Sequence, residues 1–199
     1  MLRIASILLL LAAGFIWFGT DTERAELSDL ARTDTPCGLL EQKCSVDGRT
    51  YNALIPRGAG PFPAVVFFHG SGGSGADVIL HPDITEPLLR NGYAILAPDA
   101  LDITYAGGNR SSGWIWQGQR HGRDDHQFVE NVVSDAASRF PIDPENLIIV
   151  GHSNGATFVW YLACQNTDPR LKNFATIGGT PVRSRPLACK IPRIRSPFT

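Results

Sequence analysis

Apolar positions in this chain fall into short dense runs set between glycine- and proline-rich punctuation, and the runs show two different periods. PAVVFFHG (63–70) and YAILAPD (93–99) carry near-continuous apolar stretches too short for helices. Such runs predict strands buried on both faces, and LIIV (147–150) predicts a third. RTYNALIP (49–56) alternates instead and predicts an outer strand, while FATIGG (174–179) predicts the last one. Between them the period lengthens. In DDHQFVENVVSDAASRF, Phe128, Val132, Val133, Ala136, Ala137 and Phe140 recur at helical spacing. Asp124 can cap that helix, with Gln127 three residues on in a capping-box arrangement. Further helices are expected over 76–90, with breaks at Pro82 or Pro87, and over 156–163. Residues 101–123 read as a long loop rich in Gly, Ser and Trp. Strands alternating with helices predict an α/β fold, a mostly parallel sheet flanked by helices.

Composition narrows the classes. The 199 residues suit one domain, and 18 basic against 19 acidic side chains leave a net charge of −1. No basic stripe points to nucleic acid. The N-terminus has its own character: Arg3 precedes a run from Ile4 to Phe18 broken only by Ser6 and Gly14. That run is short of the roughly 20 apolar residues a spanning helix needs and suits an export signal or an uncleaved anchor. The expected organisation is therefore a signal or membrane anchor over 1–20, a linker over 21–48 and an α/β domain over 49–199. An exported, secreted or periplasmic chain can hold disulfides. The four cysteines allow 3 pairings. Cys37 and Cys44 lie together before the first strand and Cys164 and Cys189 flank the last, so they are expected to pair in that order.

The chemistry centres on NLIIVGHSNGATFVWYLAC (146–164). Gly151-His152-Ser153-Asn154-Gly155 fits G-x-S-x-G, the nucleophile elbow, which needs a strand before it and a helix after it. The pentapeptide alone is a weak signal, but both flanking elements are expected here. Its rival reading is a polar strand–helix turn with a capping serine. A second stretch, HGSGGSG (69–75), directly follows the buried strand. An oxyanion hole takes one backbone N–H from the residue after the nucleophile and one from such a loop. Asn154 offers the first, and Ser71 or Gly72 the second. The loop lacks the Lys and spacing of a Walker phosphate loop.

With these residues in view, the chain resembles the polyhydroxybutyrate depolymerase and feruloyl esterase-like branch of the α/β hydrolases. The resemblance rests on RTYNALIP, PAVVFFHGSGGSG, the stretch from Asp124 through Cys164, and FATIGGT, and spans about 49–189. It implies exported carboxylic-ester hydrolases with Ser153 as nucleophile, Ser71 and Asn154 bordering the oxyanion hole, an ester as partner, and no metal or organic cofactor. Trp114 and Trp116 then line the substrate cleft or serve as core aromatics.

The departure from the pattern is equally specific. The fold orders its triad Ser, acid, His. After Ser153 this sequence has Asp168 as its only acidic residue and no His. Asp168 precedes the last expected strand, out of place for the triad. Of the five histidines, His152 adjoins the nucleophile and His69 belongs to the glycine loop as an expected structural hydrogen-bonder. His121 and His126 flank the start of one helix and His81 lies on another, with one of these three the alternative source of a base for Ser153. The expectation is an incomplete catalytic domain, truncated at its C-terminal side. Its alternative is a non-catalytic hydrolase remnant or binding module.

Overall fold

The computed structural model describes residues 29–104, 107–116, 122–182 and 189. The expected signal or anchor over 1–20, and His121, lie outside the described residues. Strands β1 (Cys44–Val46), β2 (Arg49–Leu54), β3 (Phe62–Phe68), β4 (Ala94–Pro98), β7 (Ile142–His152) and β8 (Phe174–Ile177) form one six-stranded sheet in the order β1-β2-β4-β3-β7-β8. The four strands β4, β3, β7 and β8 pair in parallel. Pairs β1–β2 and β2–β4 are antiparallel. Strands β5 (Asp102–Thr104) and β6 (Arg110–Ser112) form a separate hairpin. Helices are α1 (Gly75–Ile79), α2 (Pro82–Arg90), α3 (Asp125–Arg139) and α4 (Asn154–Gln165). The fold is α/β, with a mixed, mostly parallel sheet flanked by helices.

The continuous apolar runs are explained by the two faces they serve. Along β3, Ala64, Val66 and Phe68 pack against α3 and α4. Val65 and Phe67 pack the other way, toward Val78, Ile79 and Leu89 of α1 and α2. A strand covered on both sides has no position that favours a polar side chain.

Several expectations change in detail. The helical stretch over 76–90 is two helices: α1 ends at Ile79 and α2 opens with Pro82, whose missing N–H is no loss at the first helical position. Pro87 is carried inside α2. Strand β2 is not outermost, since β1 pairs along its free side. The loop over 101–123 contains the β5–β6 hairpin. Asp124 does cap α3, accepting from the His126 and Gln127 amides at 3.0 and 3.1 Å. The reciprocal half of the capping box is not made: the Gln127 side chain turns to Glu130 and Asn131. Disulfides join Cys37 to Cys44 and Cys164 to Cys189. Among the described residues no helix is long and apolar enough to cross a membrane.

Candidate active site

Strand β7 runs into α4 through a single residue, Ser153, whose φ of 52° and ψ of −115° lie where a side chain is strained. Strain of this kind costs on the order of 1–3 kcal/mol and persists only where the surroundings enforce it. Here they do. The Ser153 amide donates to the Ile177 carbonyl of β8 at 2.9 Å, and its carbonyl accepts from Thr157 at 3.0 Å. The turn also demands glycine on both sides. A Cβ at Gly151 would meet the Gly155 carbonyl oxygen at 2.3 Å, and one at Gly155 would meet the Phe68 carbonyl oxygen at 2.3 Å. Ser153 is exposed at the end of β7, and among the described residues its hydroxyl makes no hydrogen bond.

The glycine loop after β3 lies against this turn. A Cβ on Gly70 would stand 3.3 Å from the Ser153 Cβ and from His152 Nδ1. The loop is held on two sides. Gly72 donates its amide to the Ser112 carbonyl at 3.0 Å, and the Ser112 hydroxyl donates to the Gly73 carbonyl at 2.7 Å. Asp99 accepts from the Gly75 amide at 2.8 Å, from Lys43 at 2.8 Å and from Thr50 at 2.7 Å. Burial pushes the Asp99 carboxyl up, but these donors outweigh it and leave it below its ordinary value. Ser71 is exposed at the top of the loop, while Asn154 is buried at the first position of α4.

The histidines occupy other roles. His69 is 4% exposed and its Nε2 accepts from the Ala100 amide at 3.1 Å. Its proton therefore sits on Nδ1, which donates to the Gly70 carbonyl at 2.7 Å. Burial lowers its pKa, so the ring is a neutral loop brace. His126 packs edge-on against Phe158, 5.4 Å between centroids. His81 stands at the N-cap position of α2 with no side-chain capping bond, and His152 is exposed. Asp168 is committed to Arg170, with guanidinium–carboxylate distances of 2.5 to 3.0 Å. None of these groups hydrogen-bonds Ser153.

The cleft reading of Trp114 is corrected. The ring is 1% exposed, stacked on Phe158 at 5.4 Å and edge-on to Phe68 at 5.0 Å, so it is core. Trp116 is half-buried and stacks on Tyr161 at 6.0 Å. Sequence reasoning also passed over Asp125, fully buried between two guanidiniums: Arg49 at 2.7 Å and Arg123 at 2.6 Å. The adjacent acids in Asp124-Asp125 were a signal that only one of them would serve as the cap. Among the described residues no cluster of His, Cys, Asp and Glu is arranged to hold a metal ion.

Residues 63–191 match the family model of the alpha/beta hydrolase fold, and the chain belongs to that family. Among solved structures it resembles an acetyl xylan esterase from Aspergillus awamori, at 19% identity over 67% of this chain and 47% of that one, with a TM-score of 0.52. A fluorophosphonate-binding serine hydrolase from Staphylococcus aureus is similar at 13% identity, over 63% and 49% of the two chains, with a TM-score of 0.52. A poly(3-hydroxybutyrate) depolymerase from Bordetella parapertussis is similar at 24% identity, over 63% and 44%, with a TM-score of 0.47. These likenesses speak to the fold alone. The chain spans about half the length of the solved structures it matches. No curated protein is significantly similar to it in sequence.

Proposed function

We propose that this chain carries the nucleophile and the anion-binding half of an exported serine carboxylic-ester hydrolase. The observation that supports it is the enforced positive φ of Ser153 at the junction of β7 and α4. That turn sets an exposed hydroxyl beside the Gly70 loop. Ser153 Oγ attacks the ester carbonyl carbon, and the oxygen that gains charge meets the Asn154 and Ser71 amides; the Gly72 amide is committed to the Ser112 carbonyl and takes no part. Collapse of the tetrahedral intermediate breaks the ester C–O bond and releases the alcohol, protonated by the base that took the Ser153 proton, and water then cleaves the acyl-enzyme to the free acid. Donors so placed act where charge develops, and losing one typically costs about 10² to 10³ in rate. The base that takes the Ser153 proton, and the acid that orients it, are not among the described residues. The resemblance to depolymerases and feruloyl esterases, with esterases among the structural neighbours, supports a polyester or small acyl or aromatic ester as substrate. The two disulfides support an extracytoplasmic location.

A non-catalytic binding module is the second reading, favoured by a Ser153 hydroxyl that makes no hydrogen bond among the described residues. A fluorophosphonate probe separates the two. Slow labelling at Ser153, lost in Ser153→Ala, is expected, since positioning and oxyanion donors alone leave about 10³-fold catalysis over water. A folded chain that takes no label at Ser153 would establish the binding module instead.

A further inference from the structure

The turn bearing Ser153 and the glycine loop come from strands β7 and β3, which are neighbours in the sheet but have β4, the β5–β6 hairpin and three helices between them in sequence. A third segment, Gly113–Ile115, ties them together. The Trp114 amide donates to Asn154 Oδ1 at 2.8 Å, and both groups are buried. The Trp114 indole Nε1–H donates to the His69 carbonyl at 3.0 Å, also in the interior. One residue thus grips the first residue of α4 with its backbone and the root of the glycine loop with its side chain.

The segment is itself fixed from behind. The Ile115 amide donates to Asp125 Oδ2 at 2.6 Å, and Arg123 donates to the Gly113 carbonyl at 2.6 Å. Arg49 completes the support: it pairs with Asp125 and lies 3.6 Å over the Phe128 ring and 6.0 Å over the Trp114 ring. A side chain with an acceptor suits position 154, because the buried amide donor at Trp114 is satisfied there by Asn154 Oδ1. We infer that Trp114 and the Asn154 side chain are positioning residues that set the spacing of the two backbone donors of the anion-binding site, with Asp125 holding Trp114 in register. This rests on the reading of Ser153 as nucleophile for its consequence in catalysis. The mechanical coupling it asserts does not.

The test uses the full chain with Trp114→Phe, which keeps ring bulk and the backbone amide but deletes the indole donor. A second variant, Asn154→Ala, keeps the backbone N–H that faces the substrate and removes only the acceptor. Amide hydrogen exchange read by mass spectrometry on peptides from 68–73 and 151–157 should accelerate in both segments at once, about tenfold, while β4 is unchanged. Fluorophosphonate labelling of the same variants, counted per titrated site, should lose about tenfold in the maximal rate with the half-saturating concentration unchanged. Faster exchange in one segment only or in neither, or a loss confined to probe affinity, would overturn the proposal. Ser153→Ala keeps the failures apart. Undiminished labelling in that variant would remove the nucleophile reading, while the exchange result alone would still decide the clamp.

Discussion

The two faces of the sheet are built to different standards. On the side of α3 and α4, the central residues Val66, Leu96, Leu147, Ile149, Phe158 and Val159 are all at most 1% exposed, with Trp114 among them. On the side of α1 and α2 the cover is good over β3 and β4 but thins toward β7 and β8. Among the described residues, Ile148 and Val150 are half-buried and Ile177 is 52% exposed. The strained turn and the glycine loop are braced from the dense face. The strained Ser153 turn is thus tied down from one side of the sheet, while the cover on the other side thins beside it.

The sharpest way to break that contrast is Asp125→Ala. It leaves two guanidiniums, on side chains 10% and 11% exposed, facing each other without a counter-charge, and it strands the Ile115 amide. Removing one member of a buried ion pair costs about 3–5 kcal/mol, so urea unfolding should show a loss of that size. Asp102→Ala, which removes an exposed partner of Arg110, should cost no more than about 0.5 kcal/mol. Similar losses for the two would mean that the buried network contributes nothing beyond a surface pair.

How much of this was legible beforehand follows the same division. The dense face announced itself through runs such as AVVFF and LIIV, because burial on both sides leaves only apolar choices. G-x-S-x-G was legible because the close contacts at Gly151 and Gly155 admit no side chain. Sequence could not reveal that β7 starts at Ile142, since the polar DPEN that follows falls in the register break between the Phe62–Ile142 and Ala64–Leu147 pairs. Nor could it place Trp114: a tryptophan following Ser-Ser-Gly reads as a loop residue until Phe68, Phe158 and His69 are seen around it. The support from Asp125 depends on Arg49, which the sequence holds 76 positions away. Pairings at that separation leave no periodic trace.

Acid should weaken the dense face first. Burial holds the pKa of His69 and of His126 below the ordinary value of 6.5, despite the opposing fields of Asp99 and of Asp124. Below about pH 6.5 the unfolded chain therefore binds protons that the folded chain refuses, and stability falls as the pH drops through that window. Above it both rings are neutral in both states and the slope vanishes. His126→Phe should flatten the fall in melting temperature between about pH 6.5 and pH 5 without abolishing it, because His69 remains. An unchanged slope in that variant would assign the whole dependence to other groups.

The smallest effect is expected on the loose face, at Ile177. Its side chain is half out of the fold, on an edge strand whose residues are all half-buried or exposed. Its carbonyl is another matter, since it accepts the Ser153 amide and so helps to hold the strained turn. A substitution that keeps the β-branched backbone preference should leave that bond in place. Ile177→Thr is therefore expected to change the unfolding free energy by no more than about 0.5 kcal/mol, as surface substitutions usually do. The equivalent change at Val66, fully buried in β3, should cost about 1–3 kcal/mol for the hydroxyl it buries. Chemical denaturation of the two variants in parallel measures both. If Ile177→Thr costs as much as Val66→Thr, the side chain at 177 is covered in solution, and the asymmetry between the two faces does not hold there. If it costs little, β8 serves the site through its backbone alone.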